Sequence, residues 1–362
     1  MTSTFPFRRA ARALCLGLLA TSALSLAPAL SPIPAASAQT LDNEGRLPSL
    51  DGATQWLNSP PLSRDQLRGK VVLVDFWTYS CINCLREMPY LSAWAEKYKP
   101  YGLVVIGVHA YEFDFEKNID NIKQAIARYH VNFPVAVDND RGIWNAFQNE
   151  YWPAAYFVDA QGHIRHHHFG EGDYADSERI IQTLLRDAGA KNVPTTLVSV
   201  DATGAQAEGD MADMQSPETY IGYARAQNFA SAGGAVQDET SDYAASNTLA
   251  LNQWDLGGKW SVNAEHATLH APGGTIDYRF HARDLHLVMG PGPNGQPVPF
   301  HVTIDGHAPG AAHGADIDAN GNGTVTGQQL YQLVRQNGEI GDHTFTIRFD
   351  KPGVQAFSFT FG

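Results

Sequence analysis

Two kinds of hydrophobic pattern divide the chain. In its first half, residues 70–77 (KVVLVDFW), 103–108 and 133–137 are short, continuous apolar runs rich in β-branched side chains. Such runs are typical of strands buried on both faces of a sheet. Residues 81–98 and 115–129, which lie between them, have apolar side chains at helical spacing. Strands that alternate with helices predict βαβ units.

The helix predicted at residues 81–98 has two different faces. One face is apolar, and we expect it to pack on the sheet: Leu85, Met88, Leu91, Ala95 and Tyr98. The other face is charged, and we expect it to face solvent: Arg86, Glu87, Glu96 and Lys97. Further along, the pattern predicts a short helix at 143–148, an antiparallel hairpin at 154–158 and 163–169, and a closing helix at 178–188.

The second half of the chain alternates apolar and polar residues with a period of two. The alternating segments, separated by Gly and Pro clusters, are residues 275–280, 285–288, 300–304, 343–349 and 354–361. This pattern predicts an all-β sandwich or jelly roll.

The two patterns define the expected domains. We predict an α/β domain at residues 39–189, with a central mixed sheet flanked by helices, and an all-β sandwich at residues 216–362. Residues 190–215 are rich in Ala, Gly, Thr, Asp and Gln without sustained periodicity, so they are interpreted as a linker.

The first 38 residues resemble a secretory signal peptide. Basic residues at 8, 9 and 12 precede an apolar stretch at 13–30, and Ala36-Ser37-Ala38 fits a cleavage site. A membrane anchor is the alternative, but Ser and Pro residues interrupt the apolar stretch. We therefore expect cleavage and an exported protein, periplasmic or extracytoplasmic, with the choice of export route left open.

Composition narrows the possible functions. The 362 residues carry a net charge of −13 at pH 7, which makes nucleic acid and anionic lipid improbable partners. Of the 3 cysteines, Cys15 belongs to the predicted signal, which leaves Cys81 and Cys84. These two are too close in sequence to close a long loop, as structural disulfides of exported proteins usually do, so a catalytic use is favoured.

The cysteine pair lies where a buried strand leads into a helix. A thiolate at a helix N-terminus faces unpaired N–H groups and the positive end of the helix dipole, which should lower the pKa of Cys81. Cys81 is therefore expected to attack a substrate disulfide, and Cys84, one turn along, to resolve the mixed disulfide. Haem attachment is excluded by Leu85, and a zinc site would need two further ligands that no pattern supplies. No metal and no cofactor are expected.

The stretch VDFWTYSCINC resembles the signature of the thioredoxin family. The resemblance implies that Asp75, buried in the strand, moves the proton of the second cysteine, a task suited to a carboxyl group whose pKa burial has raised. It also implies a cis-proline before the hairpin, at Pro153, which leaves the preceding backbone free to pair with substrate. Trp77 and Trp152, beside these residues, are expected to contact substrate.

Longer segments resemble the TlpA and redoxin branch, and most closely the soluble part of DipZ-type proteins. They are FWTYSCINCLREMPYL, GLVVIGVHAYEFDFE, YWPAAYFVDAQG, HFGEGDY and SPETYIGYARA. DipZ-type proteins join a thioredoxin-like domain to a carbohydrate-binding-module-like β-sandwich and carry a CcdA-type membrane electron transporter. That transporter domain does not occur in this sequence. The resemblance therefore implies exchange with protein thiols and disulfides, a CcdA-type donor as a separate partner, and a glycan as a possible ligand.

Two other functions stay open. Thr78 to Cys81 matches the T-x-x-C of thiol peroxidases, although Val74 stands where that family has a proline. A cell-envelope glycan-binding protein with a vestigial redox domain is the non-enzymatic alternative. A sugar-stacking platform could then come from the aromatic residues of the second half: Tyr220, Tyr223, Trp254, Trp260 and Tyr278. The intact cysteine pair with Asp75 and Pro153 favours exchange.

Two patterns suggest metals more weakly. His163 and the run 166–168 alternate between strand faces, which favours a solvated strand end. Residues 316–324 resemble the start of a calcium loop, but the twelfth position is Gly327, where such a loop needs a glutamate. A Gly-rich turn is therefore favoured.

Overall fold

A seven-stranded mixed sheet organises the N-terminal region, residues 41–189. The computed structural model describes residues 41–246, 248–292 and 294–362, so the predicted signal at 1–38 lies outside the described residues. The strands are β1 (Gly45–Arg46), β2 (Gln55–Leu57), β3 (Val71–Trp77), β4 (Leu103–His109), β5 (Val135–Val137), β6 (Ala154–Val158) and β7 (His163–Phe169). Their order is β1-β7-β6-β3-β4-β5-β2, with β3 parallel to β4 and antiparallel to β6.

Four α-helices cover the two faces of this sheet: α1 (Ile82–Tyr98), α2 (Ile119–Arg128), α3 (Gly142–Ala146) and α4 (Tyr174–Asp187). Alternate residues of β3 point to opposite sides, as strand geometry requires. Leu73 joins the core formed with α1 and α4, whereas Val74 joins the core formed with α3. The predicted central sheet with flanking helices is confirmed.

The segment predicted as one helix at 115–129 is divided in two. A 3-10 helix at Asp114–Lys117 ends at Asn118, whose side chain accepts a hydrogen bond from the Asp120 N–H and so begins α2. The closing helix starts at Tyr174, four residues before the predicted position.

The prediction that Arg86 and Glu87 face solvent is wrong. Their side chains are 2% and 4% exposed, because α1 is covered on a further side by residues from beyond the sheet. A Cβ atom at Gly209 would lie 2.7 Å from Nη1 of Arg86, so the absence of a side chain there leaves room for the guanidinium group. Nη1 of Arg86 is also 3.3 Å from Oε2 of Glu171.

The C-terminal region, residues 216–362, is all β and antiparallel. Its strands are β8 (Thr219–Tyr220), β9 (Thr240–Tyr243), β10 (Trp254–Val262), β11 (Ala267–Leu269), β12 (Thr275–His281), β13 (Asp284–Gly290), β14 (Val298–Ile304), β15 (Asn322–Val325), β16 (Gln329–Arg335), β17 (Asp342–Phe349) and β18 (Gln355–Phe361). The main order is β15-β14-β17-β12-β10-β11-β18-β13-β16, with β8 on β18 and β9 on β10.

Strand β10 joins two layers of this region. Its first part, from Trp254, pairs with β12, and its second part, from Trp260, pairs with β11. The change of partner follows Gly258, whose φ of +94° is one that glycine adopts without strain. Large side chains from both layers, including Phe345 and Phe359, form one core. The predicted all-β region is confirmed.

The cores of the two regions meet. Phe357 of β18 belongs to the same apolar cluster as α1, and its ring centroid lies 5.3 Å from that of Phe113 and 4.6 Å from that of Phe115. Residues 190–215, predicted as a linker, contain one 3-10 helix at Gly204–Gln206. Because Pro89 lacks an N–H group, the Leu85 carbonyl has no partner one turn along. It accepts a hydrogen bond from Gln206 Nε2 at 3.4 Å.

No helix among the described residues has the length and apolar composition needed to span a membrane.

Candidate active site

The two cysteines lie at the junction of β3 and α1. Cys81 is the N-cap of α1, with extended backbone angles, and its Sγ accepts a hydrogen bond from the Cys84 N–H at 3.2 Å. Its thiol therefore takes the place that a serine or aspartate oxygen holds at many helix N-termini. Both cysteines are free thiols, Cys81 partly exposed and Cys84 buried. Only Cys81 is positioned to meet a substrate.

The expectation of a lowered pKa at Cys81 is wrong for this dithiol state. Burial raises the pKa of Cys81 above its ordinary value, and the hydrogen bonds from Cys84 lower the pKa only in part. The carboxylates of Glu112 and Glu218 raise the pKa further. Burial, with a hydrogen bond to Cys81, raises the pKa of Cys84 much more. The hydrogen bonds that Cys81 accepts at the helix start are thus outweighed by desolvation.

Two buried carboxyl groups lie behind the thiols. Asp75 is fully buried in β3, and neither of its side-chain oxygens has a hydrogen-bond partner within the part of the chain described. Burial, reinforced by the charge of Glu87, raises the pKa of Asp75 well above its usual range. Burial, followed by the charge of Glu171, raises the pKa of Glu87 to about 8. The site therefore holds two groups suited to exchanging a proton near neutral pH.

A third buried carboxyl group supports the loop that carries Cys81. Glu116 accepts hydrogen bonds from the Ser80 hydroxyl and from the N–H groups of Glu112 and Phe113, the last at 3.0 Å. Burial, with the charge of Glu112, raises the pKa of Glu116 to about 7. Because Ser80 directly precedes Cys81, this carboxyl group ties the cysteine loop to residues 112–116.

Trp152 lines the pocket beside Cys81 and precedes Pro153. The Trp152–Pro153 peptide bond is cis, as the resemblance implies. Trp152 lines the same pocket as Cys81; its Nε1 donates to the Ala110 carbonyl at 3.0 Å, and its ring centroid lies 4.3 Å from that of Trp144.

Trp77, which was expected to contact substrate, is placed differently. It is fully buried, does not line the pocket, and packs edge-on against His109 with ring centroids 5.1 Å apart. The position follows from the fold, because Trp77 ends an interior strand whose two faces are both covered.

The C-terminal region forms one side of the pocket beside Cys81, which has a volume of about 340 Å³. Nη1 of Arg225 lies 2.8 Å from Oε1 of Glu112, and the Tyr220 hydroxyl donates to the same oxygen at 2.7 Å. The guanidinium group of Arg225 also lies 3.6 Å from the Tyr220 ring centroid.

The weaker metal patterns form local contacts. His167 Nδ1 is 2.8 Å from Oε2 of Glu44, and His163 Nδ1 is 3.6 Å from Oδ1 of Asp159. In the calcium-like segment, Asp318 Oδ1 accepts from the N–H groups of Asn320 and Asn322, each at 2.9 Å, as in a tight turn. Residues 41–246, 248–292 and 294–362 contain no group of three or more side chains placed to hold a metal ion.

The aromatic residues of the second half do not form a platform. Trp254, Trp260 and Tyr278 are at most 1% exposed and belong to the core of the C-terminal region. Tyr220 lies under Arg225, and the Tyr223 hydroxyl donates to Asp238 Oδ2 at 2.9 Å.

Several residues of the site were missed in the sequence. Glu87 could have been found, because it lies one turn after Cys84 on the same helix. The sequence carries no comparable signal for Glu112, Glu116 and Arg225. Their proximity to Cys81 depends on a loop of the sheet region and on the placement of the C-terminal region.

The fold and the geometry of this site define the class of protein to which the chain belongs. A family model described as "AhpC/TSA family" matches residues 48–167, and one described as "Thioredoxin like C-terminal domain" matches residues 216–362. The thiol-disulfide oxidoreductase YkuV of Bacillus subtilis is 33% identical over 142 residues, which are 39% of this chain and 95% of YkuV. The chain belongs to the thioredoxin-like thiol-disulfide oxidoreductases.

A longer similarity relates the chain to Protein DipZ. The DipZ proteins of Mycobacterium bovis and Mycobacterium tuberculosis are 37% identical to it over 334 residues, 90% of this chain and 44% of each relative. The chain thus spans less than half the length of these relatives. Among solved structures, a thioredoxin-like protein in its oxidised form is 33% identical, with 39% of this chain and 96% of that chain covered and a TM-score of 0.37.

Proposed function

We propose that the chain is an exported thiol:disulfide oxidoreductase that exchanges electrons with extracytoplasmic protein thiols through Cys81 and Cys84. The observation that carries this proposal is the pairing of a partly exposed thiol at the start of α1 with a buried thiol one turn along. The nearby buried carboxyl groups of Asp75 and Glu87 support it.

The proposed reaction balances as follows. The Cys81 thiolate attacks one sulfur of a substrate disulfide, which forms a mixed disulfide and releases the first substrate thiolate. Cys84 gives its proton to Asp75, attacks Sγ of Cys81 and releases the second substrate thiolate. The enzyme dithiol is oxidised to a disulfide, the substrate disulfide is reduced to two thiols, and the same steps in reverse oxidise a substrate.

The charges near the thiols support attack by Cys81 and resolution by Cys84. The high pKa of Cys84 keeps it protonated until the mixed disulfide forms. Asp75 acts on Cys84 through its charge, and because burial raises the pKa of Asp75, it is a stronger proton acceptor than an exposed aspartate. Glu87, on the same helix as Cys84, is the group that can exchange the proton with Asp75 in turn.

The proposed partners are inferred from the resemblance to DipZ-type proteins. A CcdA-type membrane electron transporter would exchange electrons with Cys81 and Cys84. The basic and apolar pattern of residues 1–38 supports export. A carbohydrate-binding-module-like role for residues 216–362 has less support, because most of the aromatic side chains that could stack on a sugar are in the core.

The peroxidase alternative is supported only by the family model that matches residues 48–167. Thr78, the first residue of the T-x-x-C match, is fully buried, with its hydroxyl 3.4 Å from Nε2 of His109. The Thr78 hydroxyl therefore lies in the interior of the protein.

Reduction of insulin disulfides by the dithiol form tests the proposal. Cys81→Ser should abolish it, whereas Cys84→Ser should retain the attack and accumulate mixed disulfides at Cys81 that mass spectrometry can locate. Mixed disulfides formed through Cys84 in the Cys81→Ser variant would overturn the assignment. Peroxide consumption as fast as dithiol exchange would favour the peroxidase.

A further inference from the structure

Any substrate that reaches Cys81 also meets the C-terminal region. The pocket beside Cys81 is bounded on one side by Asn83 and Trp152, and on the other by Met214, Glu218 and Arg225. Its volume of about 340 Å³ suits a few residues of an extended chain and not a folded domain. Substrate choice can therefore depend on side chains far from the cysteines in sequence.

The pocket carries an excess of negative charge. Three carboxylates line it, those of Glu112, Glu150 and Glu218, against one cation, Arg225. Arg225 is engaged by Glu112 at 2.8 Å. Glu150 and Glu218 form no ion pair with a basic side chain of the described residues. Burial, with the charge of Glu112, raises the pKa of Glu218 to about 7, so the Glu218 charge is available to a ligand above that pH.

The rest of the pocket suits an extended peptide. Met211 and Met214 offer flexible, polarisable side chains that adapt to different apolar neighbours. Tyr151 is 49% exposed next to Trp152, which precedes the cis bond. The backbone N–H and carbonyl of Trp152 form no backbone hydrogen bond within the described part of the chain, so an extended segment can pair there.

We propose that this pocket selects polypeptide segments in which a lysine or arginine lies within one or two residues of the reacting cysteine, and that Glu218 and Glu150 provide the selection. The inference rests on the proposed function, because it concerns the substrate of the same thiol exchange. It adds that the C-terminal region is a specificity element of the active site.

Two matched peptide disulfides test this inference on the full-length chain. They are identical except for a lysine or a glutamate next to the cysteine, and kcat/KM is measured for each at low ionic strength and at a pH about one unit above the pKa of Glu218, which is about 7. We expect a preference of about tenfold for the lysine peptide, falling towards one at 1 M salt, where the screening length is about 3 Å. The ratio is the readout, because a change in the thiolate fraction of Cys81 affects both peptides equally.

Single substitutions test which residues are responsible for the preference for the lysine peptide. Glu218→Gln and Glu150→Gln should each lower the ratio about threefold, and Glu96→Gln, at an exposed position of α1, should leave it unchanged. Equal rates for the two peptides, or a preference that survives both pocket substitutions, would overturn the inference and leave the exchange activity standing. Failure of both peptides to react through Cys81 would overturn the proposed function itself.

Discussion

Nη1 of Arg225 lies 2.8 Å from Oε1 of Glu112, and this ion pair joins the C-terminal region to the loop that supports Cys81. The Glu112 side chain is 9% exposed, whereas that of Arg225 is 42% exposed, so the carboxylate depends on its partner for compensation. Since the charge of Glu112 also acts on Cys81, the pair links the C-terminal region to thiol reactivity.

Removing the positive charge of Arg225 and removing the negative charge of Glu112 should shift the pKa of Cys81 in opposite directions. Arg225→Gln leaves the Glu112 charge uncompensated and should raise the pKa of Cys81, whereas Glu112→Gln removes that charge and should lower the pKa, each by about half a pH unit. Thiolate absorbance at 240 nm, titrated in the Cys84→Ser background, measures both. Arg348→Gln, at an exposed arginine of β17, is the control. Shifts of the same sign in both variants would contradict a charge effect.

Asp75 should matter more for turnover than for stability. Asp75→Ala removes the proposed proton acceptor, so resolution of the mixed disulfide should slow by about tenfold or more. The free energy of unfolding should stay level or rise, because a buried carboxyl group without a hydrogen-bond partner is costly. Stopped-flow resolution rates and chemical denaturation measure the two effects. A large loss of stability with an unchanged resolution rate would make Asp75 structural.

How far the sequence predicts the site depends on the range of the interactions. The position of Cys81 at a helix start follows from the local change of pattern after β3. The burial of Arg86 does not, because the groups that surround it, among them Glu171 and Gly209, come from distant parts of the chain. The thiol pKa was misjudged for the same reason: the helix end is a local feature, whereas desolvation and the charge of Glu218 depend on the tertiary fold.

Glu87 should make stability depend on pH. Its pKa in the folded chain, about 8, is raised above the ordinary value of 4.5. The contribution of protonated Glu87 to the free energy of unfolding is therefore fully present below about pH 4.5, and it is lost as the pH rises through about 8. Relative to the parent, Glu87→Gln should gain about 4 kcal/mol between pH 5 and pH 9. Urea denaturation across this range measures the gain, and Glu96→Gln, at an exposed glutamate of the same helix, should show none.

The domain boundaries proposed from the sequence can be tested directly. Residues 216–362 contain an apolar core built from their own strands, so a fragment of these residues should be soluble and rich in β structure by circular dichroism. Its surface would include Phe357, which packs on residues 113–115 in the whole chain. A fragment that stays unfolded would show that the two regions fold only together.

Phe357 and Phe359 form a matched pair on β18. Both are at most 2% exposed, but Phe357 packs on Phe113 and Phe115, whereas the Phe359 ring lies 4.9 Å from that of Tyr278 within the C-terminal core. Replacing either with alanine should cost about 3–5 kcal/mol of stability. Only Phe357→Ala should also alter the pKa of Cys81 and its rate with a small neutral disulfide, because residues 112–116 hold the cysteine loop through Glu116. Both readouts are taken where each variant is fully folded. An equal change in the two variants would mean that the effect reflects overall stability and not contact with the loop.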